Sequence, residues 1–309
     1  MRVVNNISDI PKGRPVVLAT GCFDGVHPGH AKVIQTAKEL AEQCGGALWI
    51  YTFSPHPAKV LSPLTAPKLI STPEQRRRCF EVLGVDGAVE VPFDRTCAAV
   101  EPERFLTELK GQLPALAGIV CGTDWSFGAG AAGKKEQLET FCEQHGLRAV
   151  AVPPVMFDGE RISSTRIRRL IANGNIPRAE RLLRHPYCIT GVVVEGRRIG
   201  RELGFPTANL LPDNELLPAD GVYAATTQYA IGNTQHEKLS AVFIGTRKTF
   251  NEPEPVIEAH LLDFSGDLYG QKLALRLIRK LRRVISFPSR AALIEQIKAD
   301  ISEVRRRGE

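Results

Sequence analysis

The period of the hydrophobic pattern changes once along this chain, and no other feature limits the fold as strongly. As far as Leu183, apolar runs of strand length alternate with stretches whose apolar residues recur at helical spacing. From Cys188 onward the strand-like runs follow one another with no helix between them. Alternation predicts an open, mostly parallel α/β sheet, and successive strands predict a small antiparallel barrel or sandwich. At 309 residues the chain is long enough for two such cores. The spacing therefore predicts two domains, 1–184 and 185–309.

In the first half, Val16–Thr20 is a short, β-branched run suited to a buried parallel strand. Val33, Ile34, Ala37, Leu40 and Ala41 then share a helical face, Gly45-Gly46 stops that helix, and Leu48–Phe53 supplies the next strand. The pattern returns in Gly118–Cys121, a helix near Glu136–His145, and Arg148–Val152, and Ser163–Leu183 reads as one or two helices. In the second half the strand-like runs are Ile189–Glu195, Val222–Gln228, Leu239–Gly245, Val256–Phe264 and Leu273–Ile278. Ser289 is a fitting N-cap for a last helix through Leu293, Ile297 and Ile301.

Between the first strand and its helix lies Gly21-Cys22-Phe23-Asp24-Gly25-Val26-His27-Pro28-Gly29-His30. In open α/β sheets ligands bind beyond the carboxyl ends of strands, at helix N-termini. Gly21, Gly25 and Gly29 allow backbone to approach a phosphate, and His27 and His30 can face it together. A solvated turn or a weak metal site would use the same two histidines. Farther on, Ser163, Ser164 and Thr165 open a helix with Arg168 one turn along, which makes either a helix cap or an anion cradle.

These two segments, in this order, resemble the HxGH and ISSTxxR signatures of the nucleotidylyltransferase superfamily. Thr52-Phe53-Ser54-Pro55-His56-Pro57 and Gly122-Thr123-Asp124-Trp125-Ser126-Phe127-Gly128 resemble loops of one branch, the bacterial FAD synthetases. The resemblance implies a Rossmann-like nucleotidylyltransferase domain. It puts Gly21, Phe23, Asp24, Gly25, His27, Gly29, His30, Ser163, Ser164, Thr165 and Arg168 around ATP. It puts Phe53, Pro55, His56, Pro57, Asp124 and Phe127 around the flavin. Gly128–Lys135 imitates a P-loop, but Lys135 stands where a Mg²⁺-binding Ser or Thr is needed.

The second half carries its own motif. Gly191–Arg201 is a strand running into a Gly/Arg-rich turn, and Thr207 and Asn209, two apart in an extended segment, present oxygens on one face. Neutral oxygens of this kind suit Mg²⁺. The string from Gly191 to Leu210 resembles riboflavin kinases, whose PTAN signature binds the metal. By that resemblance Gly191, Gly196, Arg197, Gly200, Arg201, Gly204 and Phe205 form the phosphate loop. Thr207 and Asn209 hold Mg²⁺, and Glu258 in Glu258–Asp263 is the catalytic base. Phe243, Lys248 and Val284 depart from the kinase pattern, where Asn, Pro and Glu are usual.

The chain is thus identified as resembling the bacterial bifunctional riboflavin kinase/FMN adenylyltransferase family. That implies ATP, riboflavin and FMN as substrates and FAD as final product, with catalysis by Glu258, His27 and His30. A single-activity nucleotidylyltransferase with a degenerate kinase domain is the alternative. The net charge of +6 then answers to substrate phosphates, and no nucleic-acid or membrane partner is expected. Arg76–Arg78 and Arg305–Arg307 lack interleaved aromatics and read as solvated faces. Seven cysteines without a CxxC pair, and no apolar signal at the start, predict reduced thiols in the cytoplasm. A homo-oligomer stays open.

Overall fold

Strand β2 (Val16–Thr20) is buried along its whole length, which is why its sequence is apolar without alternation. Val16 and Leu18 face one core with Trp49, Leu106, Ile119 and Leu138, while Val17 and Ala19 face another with Ile34, Ala37, Ile50 and Phe80. A sheet with helices on both faces follows from that division. The computed structural model describes residues 1–196, 198–231, 234–247 and 254–306, apart from the side chains of residues 247 and 254. The described chain forms two compact units, Met1–Ser164 and Thr165–Glu309.

In the first unit, β1 (Arg2–Val4) and β2 are followed by α1 (Pro28–Gln43), β3 (Ala47–Ser54), α2 (Pro57–Leu61), α3 (Pro73–Val82) and β4 (Gly87–Pro92). Next come α4 (Arg95–Ala98), α5 (Pro102–Gln112), β5 (Leu116–Gly122), α6 (Lys135–Gln144) and β6 (Arg148–Val152). A two-stranded ribbon, β7 (Met156–Phe157) and β8 (Glu160–Arg161), completes it. The main sheet is parallel throughout, in the order β1-β4-β3-β2-β5-β6. From β2 the chain winds outward through β3 to β4, then returns to β5 on the other side of β2. The direction therefore reverses between β2 and β5, and the crevice beyond their carboxyl ends is where such a sheet binds its ligand.

The second unit opens at Thr165, inside α7 (Ser164–Ala172), and continues into α8 (Ile176–Leu183). It continues with β9 (Cys188–Val194), α9 (Ile199–Glu202), β10 (Ala208–Pro212), β11 (Gly221–Ile231), β12 (Thr234–Arg247), β13 (Glu254–Leu261), β14 (Lys272–Arg282) and α10 (Arg290–Arg305). The six strands close into a barrel in the order β10-β13-β12-β11-β14-β9, with antiparallel pairing. Alternate residues fill it: Leu273, Leu275 and Leu277 of β14 are all buried. Ser289 caps α10 by accepting from Ala292 N at 3.2 Å, as the sequence predicts. The buried Asp300 ties this helix to β14 through a paired contact with Arg282, at 3.0 and 2.8 Å.

Candidate functional sites

The turn after β2 is unusual backbone. Phe23 and Val26 have φ of 51° and 37°, left-handed values that cost L-residues energy and persist only when their surroundings enforce them. Here the enforcement is visible. Asp24 is 2% exposed, and its carboxylate accepts from Ile70 N at 2.9 Å and Ser71 N at 3.2 Å. Its backbone carbonyl accepts from Ser164 Oγ at 2.9 Å. Phe23 is packed between His30 and Phe80, with ring centroids 5.3 and 5.7 Å away. Asp24 and Phe23, both expected near ATP, thus act as fastenings that shape the turn.

His27 is the N-cap of α1, with Nδ1 accepting from His30 N at 3.4 Å. The two imidazoles stack 3.7 Å apart, 16° from parallel. A β-carbon at Gly29 would lie 3.0 Å from the His27 ring, so glycine is what allows the ring to fold over the helix start. Burial holds the His30 imidazole well below its ordinary 6.5, helped by His27 and Arg76. His30 is therefore neutral at pH 7, and its buried Nδ1 makes no hydrogen bond.

Across the crevice, Asp124 follows β5. The Arg161 guanidinium, 2.6 Å away, holds its carboxyl below the usual range, and His27 adds to the effect. His56 caps α2 by accepting from Ala58 N at 3.2 Å, with Pro55 before it and Pro57 at the first helical position. Phe53 packs edge-on against Tyr51 and Phe93. Phe127 is 6% exposed and stacks on Trp125 inside the core, so it backs the crevice instead of opening onto it. Ser163 precedes α7, while Thr165 and Arg168 lie on it and belong to the second unit. Gly128 and Gly133 of the imitation P-loop are packing positions, pressed against Pro102 and the Phe127 ring.

In the second unit the barrel register builds the site. Asn209 of β10 pairs with Glu258 of β13, which in turn pairs with Phe243 of β12. Directly opposed residues of an antiparallel sheet project to the same face, so these three form one row. Thr207, just before β10, donates through Oγ1 to Glu258 Oε2 at 3.5 Å. A β-carbon at Gly196 would overlap the Asn209 amide, and one at Gly200 would overlap the Phe205 carbonyl and lie 3.2 Å from Thr207 Oγ1. The loop glycines are thus what bring the backbone onto the two polar side chains. Gly204, with φ of 86°, ends α9 in a conformation that favours glycine, and Arg201 is exposed.

One expected loop member stands apart. Gly191 lies within β9, where a side chain would overlap the Leu211 carbonyl of β10, so it serves barrel closure. Arg197 and Lys248 lie outside the described residues. Thr207, Asn209, Glu258 and Phe243 open onto a cavity of about 430 Å³ that α10 also walls through Leu293, Ile297 and Asp300. Val284 borders the same cavity, so two departures from the kinase pattern lie on its wall and none replaces the oxygen-bearing residues.

Sequence reasoning missed two features. One is Arg76, 6% exposed on α3 beside the histidine turn and not on a solvated face as its three-arginine run suggested. The other is the Arg282–Asp300 pair at the cavity's far wall. Neither is marked by local pattern: an arginine run looks the same buried or exposed.

A family model described as FAD synthetase matches residues 9–166, and one described as riboflavin kinase matches residues 183–307. The bifunctional riboflavin kinase/FMN adenylyltransferase of Escherichia coli (strain K12) is 32% identical over 302 residues, 98% of this chain and 94% of the relative. Its namesake in Bacillus subtilis (strain 168) is 35% identical over 296 residues, 94% of this chain and 92% of the relative. A crystal structure named as a macrolide-efflux protein from Streptococcus pneumoniae superposes with a TM-score of 0.88 at 30% identity, covering 98% of each chain. Among the described residues here, no helix is long and apolar enough to cross a membrane. Both family matches, the near full-length likeness and the two signature sites agree: the chain belongs to the bifunctional riboflavin kinase/FMN adenylyltransferase family.

Proposed function

We propose that the two activities of this transferase are carried by separate residue sets, divided at about residue 184/185. Riboflavin and ATP give FMN and ADP, and FMN and a second ATP give FAD and pyrophosphate. The proposed division falls near the start of the kinase match at residue 183. The observation that carries the reading is the row in the barrel. Glu258 lies between Asn209 and Phe243, within 3.5 Å of Thr207, where a base and two neutral oxygens are wanted together.

Kinase transfer starts from a neutral alcohol, so a base is needed to take the ribityl 5′-hydroxyl proton as that oxygen attacks the γ-phosphorus. Glu258 is that base. Gly196, Gly200 and Gly204 bring backbone close to the phosphates, with Arg197 and Arg201 as their cations, and Phe205 holds the end of the loop. Thr207 and Asn209 fit Mg²⁺, because with Glu258 they offer only hard oxygen donors. When bound, the ion supplies charge neutralisation on the phosphates. Phe243 and Val284 present apolar surface to the same cavity, an arrangement suited to a flavin ring.

Adenylyl transfer starts from the FMN phosphate, already an anionic nucleophile. One of its oxygens forms a bond to the α-phosphorus of ATP as the bond to the β-bridging oxygen breaks and pyrophosphate leaves. This step wants charge stabilisation more than a base. The imidazoles of His27 and His30 donate hydrogen bonds there, at the positive end of α1, beside Gly21, Gly25 and Gly29. From the first unit, Ser163 and Ser164 of the ISSTxxR motif reach the remaining phosphates. The β3 and β5 ends, with Phe53, Pro55, His56, Pro57 and Asp124, and Phe127 behind, receive the flavin. Small molecules are the only partners this reading requires.

The test is a product assay with riboflavin, ATP and Mg²⁺, flavins being separated by chromatography. Glu258→Gln is expected to abolish FMN formation while FAD still forms from added FMN, and His30→Ala is expected to accumulate FMN. Loss of both products in either folded variant would sink the separation of sites.

A further inference from the structure

Three consecutive arginines on α3 meet three different fates. Arg78 is exposed and pairs with Glu74 at 2.9 Å. Arg77 forks onto Glu90 at 2.9 and 2.5 Å. Arg76 is 6% exposed and forms no ion pair among the described residues. Its Nη1 donates to the Cys22 carbonyl at 2.9 Å, and its buried Nε has no hydrogen-bond partner. A guanidinium cannot shed its proton, so this is a full positive charge held in the interior. Such burial is costly unless an opposite charge answers it.

The surroundings show where that answer comes from. Cys22 stands at the head of the turn whose far end carries His27 and His30. One helical turn after Arg76, Phe80 packs on Phe23, and Phe23 packs on His30. The inner face of α3 is thus the floor beneath the two histidines. The Asp24 carboxylate, in the same turn, is engaged by the amides of Ile70 and Ser71. A neutral donor such as glutamine would suffice to hold a carbonyl. A buried cation beneath a histidine pair is stabilised further when an anion arrives above it.

We propose that Arg76 is a positioning residue for FMN adenylyl transfer. Its guanidinium fixes the Cys22–His27 turn and supplies buried positive charge that the substrate phosphates neutralise. This rests on the reading of the His27–His30 turn as the adenylyl-transfer site. The charged or titratable groups against His30 are His27 from its own turn and Arg76 from α3; the Phe23 ring against it carries no charge. Removing the Arg76 charge therefore also eases protonation of His30.

The experiment compares Arg76→Gln, which keeps a donor without charge, with Arg76→Lys, which keeps the charge. Full-length protein is assayed separately for riboflavin phosphorylation and for FAD formation from FMN. Arg76→Gln is expected to lower kcat/KM for ATP in FAD formation by about 10- to 100-fold. The acid limb of that reaction's pH profile should move to higher pH, and phosphorylation of riboflavin should be unchanged. Arg76→Lys should retain most of the FAD-forming activity and the original pH profile.

Wild-type FAD formation in Arg76→Gln would overturn the proposal, as would equal losses in the two variants. Should Arg76→Gln fail to fold, Arg76→Lys decides: a severe loss despite the retained charge overturns it. His30→Ala, run alongside, separates the two levels. An active His30→Ala enzyme refutes the site itself, whereas an inactive one beside a fully active Arg76→Gln refutes only the role of Arg76.

Discussion

Replacing Asp24 with alanine should unfasten the histidine turn at a cost the structure allows to be worked out. The carboxylate accepts from two buried backbone amides, Ile70 N and Ser71 N, over distances of 2.9 to 3.2 Å. Alanine leaves both donors without a partner in a place that water reaches poorly, since Asp24 is 2% exposed. Each orphaned amide costs about 1–3 kcal/mol, so the loss is about 2–6 kcal/mol. Asparagine keeps the shape but exchanges one acceptor oxygen for an NH₂ group, and should lie between wild type and alanine. The chain has two tryptophans, Trp49 and Trp125, both in the first unit, so tryptophan fluorescence during urea unfolding reads that unit alone. The same preparations should show FAD formation falling about 5- to 30-fold, because the left-handed residues of the turn lose their restraint, an estimate of about 1–2 kcal/mol in the barrier. FMN formation should be unaffected. An unfolding midpoint and FAD output equal to wild type in Asp24→Ala would refute the view that this carboxylate shapes the site.

Other outcomes follow from the same geometry. Gly196→Ala places a methyl group against the Asn209 amide. It should raise the KM for ATP in riboflavin phosphorylation and leave FAD formation from FMN intact, as steady-state assays of each half-reaction would show. The depressed pKa of His30 makes stability depend on pH. The unfolded chain takes up a proton near 6.5 that the native imidazole refuses, so the contribution is complete above that value and is lost as pH falls below it. The slope is up to about 1.4 kcal/mol per pH unit, and His30→Gln should flatten it in urea titrations between neutral and mildly acidic pH. Identical slopes in the two proteins would show that His30 is not held neutral by the fold.

The two-domain plan was legible because both periods are local properties of sequence. Val16–Thr20 must be covered on both faces, and Leu273, Leu275 and Leu277 must share one face, whatever surrounds them. The family resemblance was legible for a related reason: HxGH, ISSTxxR and PTAN are short strings whose members lie close together in sequence. Elements outside those signatures, such as β1, β4, α3 and α5, carry only generic cues, such as the Thr72–Gln75 capping box of α3, and only the assembled sheet gives them a place.

Tertiary structure decided everything that depends on residues far apart in sequence. Thr207 meets Glu258 because β10 and β13 pair in one register, and a slip of one residue would turn Glu258 to the other face. The three arginines at 76–78 have the same local composition, yet one is buried under the histidines, one forks onto Glu90 and one is solvated. Position on the helix relative to a partner surface makes that choice. Sequence fixes which charges exist, and packing fixes which of them must wait, desolvated, for a phosphate.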